Sequence, residues 1–164
     1  MTIPGRPAWW KGQRGEWLTV GQIVLMALVF LGPRTLSGDS APLFQSGLPR
    51  YAGAALVLGG TALLIAGIIR LGPGLTPLPF PKDGAPLVQT GPFALVRHPM
   101  YSGGLVLAAG IALLTGGWLT WIYTAALFPL LDVKSRREER WLVEKFPEYR
   151  AYQRRVRKLL PFVY

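Results

Sequence analysis

Hydrophobic positions in this chain gather into four nearly unbroken runs instead of alternating with polar ones. They are WLTVGQIVLMALVFLG (Trp17–Gly32), YAGAALVLGGTALLIAGIIRLG (Tyr51–Gly72), YSGGLVLAAGIALLTGG (Tyr101–Gly117) and WLTWIYTAALFPLL (Trp118–Leu131). Spanning a bilayer as a helix takes roughly 20 apolar residues. The second run meets that length, and the others are slightly short alone. The third gains length from Pro99 and Met100, and the fourth by continuing into DVKSRREER. The third and fourth meet at Gly116-Gly117 with almost no loop, which predicts an antiparallel helical hairpin. Beyond Leu131 the pattern changes. Trp141, Leu142, Phe146, Tyr149, Tyr152, Val156 and Leu159 form an apolar stripe among charges. The stripe predicts an amphipathic helical tail on the membrane surface, with a second helix starting at Pro147.

The expected fold is therefore all-α: a polytopic membrane protein of about four transmembrane helices plus a C-terminal amphipathic helical tail. Its length of 164 residues suits a single domain, 1–164. The chain is 51% hydrophobic and 16% charged, with a mean hydropathy of +0.32, more apolar than a soluble domain of this size. The start MTIPGRPAWWKGQRGEW is polar and basic, so no signal peptide is expected. Trp9, Trp10, Trp17, Tyr51, Tyr101, Trp118 and Trp121 lie near run ends, where interfacial anchors belong. Ala55 with Gly59, Ala62 with Ala66, and Gly103, Gly104 and Gly110 offer small residues for close helix contact.

Charge supplies the orientation. Arg6, Lys11 and Arg14 precede the first run, and Arg70, Lys82 and Arg97 lie between the second and third. Ten Lys and Arg follow the fourth, whereas the first loop holds only Arg34 and Arg50. The positive-inside rule places both termini and the Gly72–Pro99 segment in the cytoplasm. A net charge of +10 would suggest nucleic acid on a soluble protein. Here the cations sit outside the apolar runs, so membrane lipids are the expected partner and nucleic acid is not. With no cysteine and one histidine, disulfides are excluded and no metal site is expected.

Candidate chemistry lies beside the third and fourth runs. GPGLTPLPFPKDGAPLVQTGPF is too rich in Pro and Gly for a regular helix, and long irregular segments are often functional. It leads into Arg97-His98-Pro99, where Pro99 suits a first helical position. The free backbone N–H groups there attract a carboxylate or phosphate. The same residues also suit a snorkelling Arg and an interfacial His. Glu138 and Glu139, just past the fourth run, can face a cationic ligand or form an exposed ion-pair helix.

Two linked stretches, LVQTGPFALVRHPMYSGG and EERWLVEKFPEYRAYQRRVRKLLPF, resemble the cofactor-binding motif of the integral-membrane methyltransferases. That group includes isoprenylcysteine carboxyl methyltransferases and phospholipid N-methyltransferases. The resemblance covers roughly residues 85–162 and implies S-adenosylmethionine as cofactor, with 85–162 as the cofactor-binding part. Leu87, Val88, Gly91 and Phe93 match the loop around the cofactor. Arg97, His98, Pro99, Met100 and Tyr101 match the turn that binds it, and Glu138 a cofactor-contacting Glu. Arg97 and His98 would suit the carboxylate of this cofactor, Glu138 its α-ammonium, and Tyr101 and Phe93 its cation or adenine.

Lys134 falls near an Arg that contacts substrate in the carboxyl methyltransferases, and Arg137 is close enough to share that role. An amine acceptor needs deprotonation, for which Glu139 is the nearest candidate. The chain departs from the pattern at Ala85, Phe93, Lys134 and Pro147. Lys134 in place of Arg loses bidentate carboxylate recognition. The implied acceptor is accordingly a lipophilic acid, a phospholipid amine, or a small hydrophobic alcohol or thiol, entering from the bilayer while cofactor enters from the cytoplasm. The resemblance places the active site at the cytoplasmic face. Ala, Gly and Arg usage points towards a prokaryotic plasma membrane. Two rival expectations are an NADPH-dependent membrane sterol-type reductase, which shares related terminal helices, and a non-catalytic lipid-binding module.

Overall fold

The computed structural model describes residues 14–36, 47–161 and 163–164, which are helical and carry no strand, only an isolated bridge between Val96 and Arg157. Trp9, Trp10, Arg6 and Lys11 lie outside the described residues. Each apolar run becomes a helix. The first forms α1 (Glu16–Leu31), which ends at Gly32-Pro33 because proline cannot continue it. The second forms α2 (Leu48–Leu71), which opens with a proline in its first turn and ends at Gly72, where φ is +50°. A 3₁₀ turn, Gly72–Gly74, and a four-residue helix α3 (Pro92–Leu95) are the only helical pieces in the Pro/Gly-rich connection. The third run forms α4 (Pro99–Thr115) and the fourth opens α5 (Trp118–Lys145). Gly116, at φ +62°, makes the turn between them that closes the expected hairpin. The last helix is α6 (Tyr149–Arg155).

Within the described residues, one helical stretch, Leu48–Gly74, is long and apolar enough to cross a membrane. α1 and α4 are shorter apolar helices, of 16 and 17 residues. α5 has 28 residues, roughly 42 Å at 1.5 Å each, and runs without a break from the fourth apolar run into the charged tail. The fourth run and the first half of the tail are thus one helix. α6 begins at Tyr149, two residues beyond Pro147.

α4 lies at the centre, packed against α2 on one side and α5 on the other, and α1 packs on α5 and reaches α4. α1 and α2 do not touch among the described residues. The α2–α4 contact is built on glycine. Gly53, Gly60 and Gly67 are seven apart and all buried. A Cβ on Gly60 would lie 2.5 Å from the Leu107 nitrogen and 2.7 Å from the Gly103 carbonyl, so only glycine permits this approach. Gly110 meets Gly53 in the same way, and Gly67 meets Met100. The helices therefore run antiparallel with their backbones in contact, the geometry small residues allow in lipid. The expected pairs are corrected here. Ala55, Gly59 and Ala62 face outward, and a Cβ on Gly59 would meet nothing within 4 Å. The outer face of α2 instead exposes large apolar residues, Leu58 at 72% and Ile69 at 74%.

Val29, Leu105, Ala108, Leu127, Leu131 and Leu159 form the core. Leu159 comes from the tail, whose stripe turns inward: Tyr149, Tyr152 and Leu159 are fully buried. That corrects the expectation of a stripe lying on the membrane surface. Trp17, Tyr51, Trp118 and Trp121 are exposed as anchors should be, but Tyr101 is turned into the protein.

Candidate active site

The Arg97-His98-Pro99 turn is held by a strap from the tail. Arg97 N–H donates to the Arg157 carbonyl at 2.8 Å and His98 N–H to the Lys158 carbonyl at 3.1 Å. The Ser102 hydroxyl donates to the Leu159 carbonyl, and the Tyr152 hydroxyl to the Phe93 carbonyl. Pro99 takes the first position of α4 and His98 its cap. The first N–H groups of that helix have no intrahelical partner.

Glu138 and Glu139 stand opposite this turn and divide it between them. Glu139 is buried and accepts hydrogen bonds from Arg97 Nε at 2.6 Å, His98 Nε2 at 3.2 Å, the Tyr149 hydroxyl at 3.3 Å and Gln153 Nε2 at 2.9 Å. Burial alone would raise its pKa. The hydrogen bonds and charges of His98 and Arg97 outweigh burial and hold the carboxyl at about 2. Burial pushes the Tyr149 and Tyr152 phenols up, so both remain protonated donors. Glu138 accepts from the Tyr101 hydroxyl at 2.8 Å and lies 3.7 Å from His98 Nδ1. The Tyr101 ring stacks on His98, with centroids 5.3 Å apart and planes 6° from parallel.

Of these groups Arg97, His98, Tyr101, Glu138, Tyr149 and Tyr152 line one cavity of about 730 Å³, its open solvent mouth included. Its walls contain Leu87, Val88, Phe93, Arg97, His98, Pro99, Met100, Tyr101 and Glu138. Of the residues matched to the cofactor motif, only Gly91 stays outside. It takes a turn at φ +65° beside Arg70, whose Nε donates to the Thr90 hydroxyl at 3.0 Å.

The residues expected to act on substrate fall elsewhere. Glu139 points to the other side of α5, its carboxylate filled by donors, and does not line the cavity. That removes the geometric basis for its role as base. The Arg137 guanidinium lies 5.3 Å from the Trp141 ring and lines a separate groove with Leu18 and Trp141. Lys134 is buried one turn deeper than Glu138. Its ammonium donates to Gln22 Oε1 at 2.6 Å and to the Pro77 carbonyl at 3.0 Å, and lies 5.4 Å from the Tyr101 ring centre. Burial, against the pull of Glu138, lowers its pKa to about 8.

Sequence reasoning missed the far wall of the cavity. Leu71, Thr76, Pro81, Lys82 and Ala85 come from the end of α2 and the Pro/Gly-rich connection, and Leu142, Phe146, Tyr149 and Tyr152 from the tail stripe. From the connection the resemblance singled out Leu87, Val88, Gly91 and Phe93, but not Thr76, Pro81 or Lys82. The connection is fastened by Pro77, whose carbonyl also accepts from the Thr19 hydroxyl at 3.1 Å, and by Phe80, edge-on to Trp141 at 5.2 Å. Among the described residues, no three His, Asp or Glu side chains are grouped to hold a metal ion.

Residues 48–149, more than half of the chain, match the phospholipid methyltransferase family. The chain is 30% identical over 148 residues to the cobalt-zinc-cadmium resistance protein CzcN of Cupriavidus metallidurans, covering 90% of this chain and 62% of that one. It is 39% identical over 85 residues to methanethiol S-methyltransferase of Pseudomonas deceptionensis, covering 49% of this chain and 30% of the relative. It is 32% identical over 79 residues to protein-S-isoprenylcysteine O-methyltransferase of Schizosaccharomyces pombe, 47% of this chain and 34% of the relative. The chain thus spans about three fifths of the first relative and about a third of the other two.

Proposed function

The chain belongs to the phospholipid methyltransferase family, and from that premise we propose that it transfers a methyl group from S-adenosylmethionine to a lipophilic acceptor. The observation that carries this reading is the single cavity in which Glu138, the Arg97-His98 helix start, Tyr101 and apolar walls converge. The cofactor has one carboxylate, one ammonium, a sulfonium and a flat base, and the donor set fits each. Glu138 suits the ammonium, and the N–H groups opening α4 suit the carboxylate. Lys82, on the cavity rim, adds a cation for the carboxylate, because Arg97 is largely committed to Glu139, Gln153 and Val156. Tyr101, Phe93 and Phe146 offer ring faces. When bound, the cofactor supplies an electrophilic methyl group.

The chain's own residues position and shield. Glu139 fixes Arg97 and His98, His98 and Glu138 fix the Tyr101 ring, and the connection pinned at Pro77 and Phe80 keeps water out. A carboxylate or thiolate acceptor needs no base. For an amine acceptor the carboxylate in the cavity is Glu138, not Glu139.

We read the protein as integral to the membrane, crossing it with about four helices and holding both termini and the site at the cytoplasmic face, and as one domain with its cofactor part in 85–162. Large apolar side chains outside and glycines inside on α2 support a lipid surround. A prokaryotic plasma membrane is the proposed location.

The test is calorimetric titration of S-adenosylhomocysteine into detergent-purified protein, with NADPH alongside and Tyr101→Phe and His98→Ala as variants. Micromolar binding weakened by both variants supports the reading. Binding of NADPH alone moves the protein to the reductases, and binding of neither by folded protein removes the enzymatic reading. With binding in hand, methyl transfer to a lipophilic thiol, acid and amine identifies the acceptor.

A further inference from the structure

The reverse side of the Arg97–Glu139 pair opens into a second cleft, of about 1050 Å³ with its mouth, between α5 and the strap. Its walls are cationic: Arg136, Arg154, Arg155, Arg157 and Lys158, with Glu139 the one acid among the lining residues. Three of these cations are already engaged. Arg136 pairs with Asp132 at 2.7 Å, Lys158 with the same carboxylate, and Arg155 donates to Gln89 Oε1 at 3.0 Å. Arg154 and Arg157 are exposed and have no side-chain partner among the described residues. The cofactor reading makes no use of either.

The height of the cleft along α5 narrows its ligand. Asp132, the first residue past the fourth apolar run, binds both Lys158 and the Tyr164 hydroxyl, the latter at 2.8 Å. The cleft therefore begins where the apolar surface ends. Val163 and Tyr164 line it beside the cations, the Phe128 ring meets Tyr164 at 6.2 Å, and Phe128, Leu160 and Val163 are exposed at 38%, 37% and 73%. A surface with cations beside bare apolar side chains matches an amphiphile with an anionic head.

We propose that this cleft holds the phosphate headgroup of an anionic phospholipid, with Arg154 and Arg157 as its principal ligands and Phe128, Leu160 and Val163 against its acyl chains. A free phosphate would engage the cations but leave the apolar residues bare. The lipid is not the methyl acceptor, since the Arg97–Glu139 pair separates this cleft from the cavity. It does lie on the strap that carries the Gln153 and Val156 carbonyls bonded to Arg97. Filling the cleft therefore steadies the wall of the cofactor cavity. This consequence rests on the cofactor reading; the binding itself does not.

The test is native mass spectrometry of the detergent-purified chain with phosphatidylglycerol or phosphatidylcholine, using the Arg154→Gln/Arg157→Gln double variant and an Arg154→Lys/Arg157→Lys counterpart. Wild type should retain phosphatidylglycerol in preference to phosphatidylcholine. The Gln variant should weaken that retention roughly tenfold or more, as expected for loss of two headgroup cations, and the Lys variant should restore most of it. Equal retention of the two lipids, or unchanged retention by the Gln variant, overturns the proposal. So does release of the lipid by inorganic phosphate at equal concentration, which would make the cleft a free-anion site. A separate titration of S-adenosylhomocysteine should show tighter binding with phosphatidylglycerol, and no lipid effect in the Gln variant. If lipid is retained but S-adenosylhomocysteine never binds, the cofactor reading fails and the lipid site stands.

Discussion

Replacing Glu139 with Gln tests the central assignment of the site, that this carboxylate is a buried anchor and not a base. Its pKa falls from about 4.5 to about 2 on folding. At about 1.36 kcal/mol per pH unit the difference is worth roughly 3 kcal/mol. A folded pKa below the unfolded one means the stabilisation is fully present above pH ~4.5 and is lost as pH falls towards ~2. The amide in Glu139→Gln would keep the shape but not the charge, and its NH₂ group would face a donor in either orientation, Arg97 and His98 at one oxygen's place or the Gln153 amide at the other's. At pH 7 the variant should therefore be less stable by roughly 3 kcal/mol, a fall in Tm of roughly 6–12 °C at 2–4 °C per kcal/mol. The assay is tryptophan fluorescence on heating, in detergent, for both proteins from pH 7 to pH 2.5. The gap between their Tm values should shrink steadily from pH 4.5 to pH 2.5, to about a quarter of its size at pH 7. A gap undiminished at pH 2.5, or none at pH 7, would refute the anchor assignment. Under the anchor reading, binding of S-adenosylhomocysteine should weaken with the loss of Arg97 and His98 positioning, without a new step in its pH profile.

Other expectations follow from single contacts. Gly60→Ala places a Cβ 2.5 Å from the Leu107 nitrogen, forcing α2 and α4 apart at a cost of about 1–3 kcal/mol. Gly59→Ala, one residue away in open space, should be neutral or stabilising by up to ~1 kcal/mol; similar Tm losses in both would discredit the glycine contact. Tyr101→Phe removes the hydroxyl bond to Glu138 and should weaken S-adenosylhomocysteine on the order of tenfold by calorimetry, with Tm little changed. Lys134 has its folded pKa lowered to about 8 from 10.5. The unfolded chain then holds the extra proton between those values, so stability should rise with pH across that window. Lys134→Met should flatten that rise in thermal scans.

Much of the fold was legible because its long helices announce themselves as apolar runs, and α1, α2, α4 and α5 each grew from one. The residues of the motif match lie close together in the chain, and eight of the nine singled out from Leu87 to Tyr101 line one cavity, Gly91 excepted. Three things were not legible. The tail stripe looks the same whether its apolar side meets lipid or protein, and only the backbone bonds of Arg157 and Lys158 to Arg97 and His98 decide for protein. Gly103 and Gly110 on α4 do make the expected close contact, but its α2 side was misread because spacings of four were sought where the buried glycines are spaced by seven. The connection's residues could not be ranked, because irregular backbone has no period from which a facing side can be read.

Glu139 and Arg137 lie apart from the cavity for a reason of helical phase. Neighbours on a helix point about 100° apart, so Glu138 and Glu139 cannot serve the same pocket. Glu138 shares its face with Lys134 and Leu142, each four residues away, and this face meets Tyr101 and the cavity. Glu139 shares its face with Arg136 and Val143, lining the basic side of α5. Arg137 shares its face with Val133, Trp141 and Glu144, towards α1. A pair of adjacent acids thus does two jobs because of the helix beneath it. One is left with its carboxylate in the cavity. The other is saturated by four donors and holds Arg97 and His98 in place. Exchanging the two duties would need a rotation of α5 by about 100°, which the Lys134 bonds to Gln22 and Pro77 on one side and the Asp132 bonds to Lys158 and Tyr164 on the other both oppose. The phase of α5 is therefore fixed from both flanks by charged residues outside the cavity. Substitutions at Gln22 or Asp132 should accordingly disturb cofactor affinity without touching the cofactor, more so in combination than the sum of each alone.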